Sequence, residues 1–86
     1  MSSQDDALDQ YIELVRFMAA SLLEEEVDIE VRGDKGNNQW RIELLVPEDH
    51  RGRVIGKGGR IARSMRTLIN NAAIANHHPV VLDIVD

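Results

Sequence analysis

Three glycines and a lysine, Gly56-Lys57-Gly58-Gly59, interrupt the most basic stretch of this 86-residue chain, between two segments with helical apolar spacing. Glycine reaches positive φ without steric cost, so helix ends here and the chain turns sharply. A turn almost without side chains also lets a bulky anion approach the peptide backbone. The second helix starts at the turn, and its free N–H groups and positive dipole end face whatever docks there. Lys57 adds a mobile cation at the tip, and Arg60 and Arg63 flank it. Glycine turn, helix start and basic rim together make a cradle for a phosphate backbone.

The overall charge points the other way. Ten basic and fifteen acidic side chains give a net charge of −5, which at face value disfavours a polyanionic partner. The average hides a division. Residues 1–30 hold nine acids (Asp5, Asp6, Asp9, Glu13, Glu24, Glu25, Glu26, Asp28, Glu30) and one base, Arg16. Residues 51–66 hold Arg51, Arg53, Lys57, Arg60, Arg63 and Arg66 and no acid. The local field, and not the sum, decides what docks. The Glu24–Glu26 run reads as a solvated face. The chain has no cysteine, so disulfides and thiolate metal sites are excluded and a reducing compartment, the cytoplasm, is expected. The acidic opening does not fit a secretory signal, and no apolar run is long enough to span a membrane.

The length allows one domain over residues 1–86, with no room for a second activity. Leu8, Tyr11, Ile12, Val15, Met18, Ala19 and Leu22 recur at three- and four-residue steps, predicting a helix over 5–24 that Ser3 and Asp6 help to start. Val27, Ile29 and Val31 alternate with polar residues, predicting a strand over 27–32. The turn formers of 33–38 reverse the chain, and Trp40, Ile42, Leu44 and Val46 give an antiparallel strand over 39–46. A short helix over 49–55, started by Glu48 or Asp49 and interrupted by Gly52, leads to the 56–59 loop. A longer helix over 60–75 carries Ile61, Ala62, Met65, Leu68, Ile69 and Ala72 on one face, and Pro79 enforces its end. The apolar run 80–85 is a buried strand whose two-helix connection suits a parallel neighbour. The α-β-β-α-α-β order predicts an α+β fold, a three-stranded sheet with helices on the face bearing Val27, Ile29, Val31, Trp40, Ile42, Leu44 and Val46.

Val54-Ile55-Gly56-Lys57-Gly58-Gly59 followed by Ile61 resembles the signature of the KH (K-homology) RNA-binding domain, and the element order resembles its type II arrangement. In that family a Gly-x-x-Gly loop clamps about four nucleotides by their backbone. A small chain with an acidic first helix is similar to the bacterial KhpA-type KH proteins. The resemblance implies that Gly56, Lys57, Gly58 and Gly59 contact sugar-phosphate. It makes Val54, Ile55 and Ile61 form or support an aliphatic groove under the bases, and Arg53, Arg60 and Arg63 reach phosphates or base edges. It also implies a single-stranded RNA partner, a homodimer or a complex with a larger KhpB/Jag-type protein, RNA chaperone or post-transcriptional work in the cytoplasm, and a link to cell-wall and cell-shape homeostasis. No cofactor is expected.

Other readings fit less well. The step from Gly52 to Gly56 is one residue short for a Walker-type nucleotide loop, and Lys57 is followed by Gly58 instead of Ser or Thr. His50, His77 and His78 lack metal-ligand spacing, and Ser64 and Thr67 lack a partner base, so no enzyme is expected. Tyr11, Phe17 and Trp40 are the only aromatics and lie outside the basic segment, which disfavours folds that stack bases on aromatic faces. Trp40 reads as a core or sheet-edge residue. A protein-interaction adaptor or dimerisation module with a vestigial RNA site is the alternative.

Overall fold

Strict alternation makes Trp40–Leu45 the strand on which the fold is organised. Trp40, Ile42 and Leu44 are buried on one side while Arg41 stays exposed on the other. In the computed structural model, which describes residues 3–23 and 27–85, the elements run α1 (Ser3–Leu22), β1 (Glu30–Lys35), β2 (Trp40–Leu45), α2 (Glu48–Ile55), α3 (Arg60–Ala72) and β3 (Val80–Val85), with one 3-10 turn at Lys57–Gly59 between α2 and α3. The side chains of residues 1–6 lie outside the described part, as do residues 24–26, and with them the start signal at Ser3 and Asp6 and the glutamate run.

Strand order is β1-β2-β3. β1 pairs with β2 antiparallel, placing Val31 opposite Leu44 and Gly33 opposite Ile42. β2 pairs with β3 in parallel, with Trp40 beside Val80 and Ile42 beside Leu82. α1 and α3 lie against the sheet, and α2 packs on α3. One core results, made by Val15 and Ala19 of α1, Val31, Ile42 and Leu44 of the sheet, Val54 of α2, Met65 and Ile69 of α3, and Leu82. Each fully buried aliphatic side chain in such a core contributes about 1.5–3 kcal/mol through water exclusion. The α+β, type II KH architecture is the one expected.

Several boundaries differ from expectation, each for a physical reason. The first strand spans Glu30–Lys35, not 27–32. Gly33 fails to turn the chain because it lies on the inner face directly under α1, where an added Cβ would meet Ile12 Cδ1 at 2.7 Å and a Leu8 methyl at 3.1 Å. The reversal therefore moves on, and the Gly36 N–H donates to the Gln39 carbonyl at 3.0 Å. Val27 and Ile29 precede the ladder and are half-buried. Gly52 does not interrupt α2, and neither Glu48 nor Asp49 caps it, because Pro47 is the residue before its first turn. α3 stops at Ala72 and not at 75, since the chain tightens into short-range turns in which Ile74 N–H donates to Asn71 O and Asn76 N–H to Ala73 O. Leu68 and Ala72 are exposed, so they leave the apolar face on which they were expected.

Candidate nucleic-acid interface

The turn between α2 and α3 is built on three departures to positive φ, at Gly56 (78°), Gly58 (66°) and Gly59 (77°). Gly56 combines its φ with ψ 171°, a region open essentially to glycine alone. It is also the tightest point of the loop, since a Cβ there would lie 2.7 Å from Ile61 Cγ1 and 2.9 Å from Ile61 Cβ. Ile61 thus packs against bare backbone. Nothing lies within 4 Å of a Cβ added at Gly58, which faces open space.

Internal bonds hold the turn. Gly56 N–H closes α2 on Gly52 O at 2.8 Å, Gly59 N–H donates to Gly56 O at 3.1 Å, and Arg60 N–H donates to Lys57 O. Lys57 and Gly58 form the exposed tip. Arg63 donates through Nη2 to Gly58 O at 2.9 Å, bracing the tip from the first turn of α3. Its remaining guanidinium donors are set beside the glycine turn, and a bound anion there meets a cation already held in place.

Of the residues singled out in the sequence, Arg53, Lys57, Arg60 and Arg63 are exposed at this end of the molecule, and Gly56, Gly59, Ile55 and Ile61 are half-buried around the turn. Val54 is fully buried in the core. It supports the surface from beneath and cannot touch a ligand. The other two bases of the stretch take different posts. Arg51 is half-buried in α2, and Arg66 donates through Nε to Leu82 O at 3.1 Å. A shallow groove on the outer side of α3, lined by Arg60, Arg63, Ser64, Thr67 and Leu68, continues from the turn. Sequence reasoning missed it by placing Leu68 in the core. The spacing of the buried set Ala62, Met65, Ile69 and Ala73 was the available signal, because Leu68 falls outside it.

Trp40 is only 6% exposed, with the Tyr11 ring at 6.3 Å, the His78 ring at 6.4 Å and Lys35 Nζ 4.9 Å from its centre. It is a core residue under a cation, closed to base stacking. Among the described residues no cluster of His, Asp and Glu has metal-site geometry, and no helix is long and apolar enough to cross a membrane.

A fold with this turn has known counterparts. The family described as KhpA/KhpB, KH domain matches residues 12–84. The chain belongs to that family. It is 40% identical over 73 residues to the RNA-binding protein KhpA of Clostridium perfringens, covering 85% of this chain and 97% of that one. It is 36% identical over 75 residues to KhpA of Borreliella burgdorferi, covering 87% and 92%. Among solved structures it is similar to a variant of Aquifex aeolicus Era bound to GDP.AlF4-, with TM-score 0.60 and 25% identity over 88% of this chain. Era in complex with MgGDPNP and nucleotides 1506-1542 of 16S ribosomal RNA gives TM-score 0.59 and 26% identity over 87%. The KhpA-family chain spans 29% of each Era chain.

Proposed function

We propose that this KhpA-family chain is a non-catalytic, single-stranded RNA-binding module whose grip is the Gly56–Gly59 turn. The observation that carries the reading is the exposed Lys57-Gly58 tip at the start of α3, braced by the Arg63 bond to Gly58 O. Sugar-phosphate docks on the tip and on the N–H groups of α3, with Arg53, Arg60 and Arg63 as the basic rim. Bases lie against Ile55 and Ile61, which Val54 supports. The names of the KhpA relatives support RNA as the ligand.

One small turn neutralises few phosphates. With about four neutralised, log K falls with log salt at a slope near −3 on single strands. Useful affinity then comes from a second module, supplied by a homodimer or a larger KhpB/Jag-type protein, because linkage raises effective concentration. Cytoplasmic RNA chaperone or post-transcriptional work, with its tie to cell-wall and cell-shape homeostasis, follows from the family resemblance. The test is Lys57→Asp combined with Gly58→Asp. Asp tolerates the left-handed region better than most residues, and its Cβ meets open space, so the fold persists. RNA affinity at low salt is expected to fall at least about tenfold. Unchanged affinity in the folded double variant overturns the assignment.

The exposed Phe17, Leu68 and Ile74, at 73%, 52% and 84%, favour a second reading, a protein-interaction adaptor. In that case the wild-type chain forms no RNA crosslinks at low salt yet holds a protein partner.

A further inference from the structure

The basic rim of the turn runs on into the outer side of α3. Arg60 and Arg63 stand at the turn and also line the shallow groove that continues along the helix past Ser64 and Thr67 to Leu68. A Cβ at Gly59 would lie 3.8 Å from Arg63 Nη2, so the guanidinium that lines the groove lies against the turn itself. α3 carries no acid, and none occurs between His50 and Leu82. A polyanionic strand gripped at the turn therefore meets an unopposed positive field along the helix.

The groove changes chemistry along its length. Arg60 and Arg63 can only donate, which suits phosphate oxygens. One helical turn beyond Arg63, about 6 Å along the axis, the exposed Thr67 already donates its hydroxyl proton to Arg63 O at 3.0 Å. A hydroxyl has one proton and two lone pairs, so Thr67 Oγ1 offers the groove an acceptor. A phosphate, itself acceptor-only, gains nothing there. A ribose does, because its 2′-OH is a donor that deoxyribose lacks. Leu68, 52% exposed at the end of the groove, adds apolar surface against which the carbon face of a sugar can rest.

We propose that this groove takes the nucleotides that follow those held at the turn, and that Thr67 accepts a hydrogen bond from a ribose 2′-OH there. Thr67 is then a residue that discriminates RNA from single-stranded DNA, a role that rests on the RNA-binding reading of the turn. Arg63 ties the two parts together. Its guanidinium braces Gly58 O at the tip, while its own carbonyl holds the Thr67 proton away from the groove. The phosphate grip and the sugar selector thus share one residue, and the strand meets donors first and an acceptor next.

The test compares wild type with Thr67→Val, which keeps the shape and removes the acceptor, and with Thr67→Ser, which keeps the hydroxyl. Fluorescence anisotropy at low salt measures affinity for oligouridylate and oligodeoxyuridylate, each as tetramer and octamer. The bases are identical, so the 2′-OH is the only difference between the two series. Wild type is expected to favour the RNA octamer over the DNA octamer. Thr67→Val cuts that preference at least about threefold, the effect of one hydrogen bond, through weaker RNA binding alone. Thr67→Ser keeps the wild-type preference, and tetramers, held at the turn, respond less than about twofold to either change. An unchanged octamer preference in Thr67→Val, an equal loss on RNA and DNA, or an equal response of tetramers and octamers overturns the proposal. Lys57→Asp with Gly58→Asp is measured alongside. If it leaves affinity for both lengths unchanged, the assignment of the turn falls, and this proposal with it. Should Thr67→Val unfold, Thr67→Ala is scored by the same criteria.

Discussion

Two regions of this chain depend on glycine, and they use it for opposite ends. In the β1–β2 hairpin, Gly33 has an ordinary strand conformation and is small because α1 crosses directly over it, with Ile12 and Leu8 filling the space of a side chain. In the α2–α3 turn, Gly56, Gly58 and Gly59 all sit at positive φ, and only Gly56 has a neighbour in the way of a Cβ. A glycine count treats the two regions alike. Backbone angle and the nature of the obstructing atom separate them, and they predict different consequences for stability and binding.

The largest effect is expected at Gly56. Gly56→Ala forces a side chain into a glycine-only conformation and against Ile61 Cβ, an atom that cannot swing aside. Together these cost about 3 kcal/mol, or roughly 15 °C in melting temperature for a domain of this size, and RNA affinity falls with the turn's geometry. Adding Ile61→Gly removes every Ile61 side-chain atom in the way, Cβ included, but leaves the angle, so recovery is partial. Complete recovery in that double-mutant cycle breaks the backbone half of the comparison.

Lys57→Asp with Gly58→Asp comes next and has the reverse profile, a loss of RNA binding with a melting temperature close to wild type. Arg63→Ala follows. Removing its bond to Gly58 O and one rim charge weakens binding severalfold and lowers the magnitude of the salt slope by about 0.7. Its cost in denaturant melts is below about 1 kcal/mol. A salt slope equal to wild type would place Arg63 as a brace alone. The smallest effect is expected for Gly33→Ala. The atoms it meets are methyl ends of Ile12 and Leu8 that rotate away, so stability changes by less than about 1 kcal/mol, and RNA titrations match wild type.

Much of this molecule was legible in the sequence because short-range rules govern it. The alternation of Trp40, Ile42 and Leu44 gave the central strand, and the triple glycine gave the turn. The two-helix connection before Val80 gave the parallel pairing. What the sequence hid depends on residues far apart in the chain. Gly33 looked like a turn former until α1 was seen above it, and so the first strand moved three residues along. Leu68 looked like core until the direction of α3 over the sheet turned it outward. Arg66 counted toward the basic patch until its guanidinium was found on Leu82 O. Local pattern carries no information about which distant carbonyl a long side chain reaches.

The parallel pairing of β2 with β3 also governs the order in which the domain assembles. Trp40 and Val80 are ladder neighbours forty residues apart, and everything between them, α2, the glycine turn and α3, is a loop closed by that pairing. Closing a loop of this length costs about 3 kcal/mol in chain entropy before any strand contact repays it. The two helices pack on each other through local contacts and are free to form early, whereas the ends that anchor them to the sheet wait for the slow, long-range step. The glycine turn therefore acquires its fixed position only in the final folding event. Recovery of RNA binding during refolding should follow β2–β3 closure, with the rise of helical signal coming first.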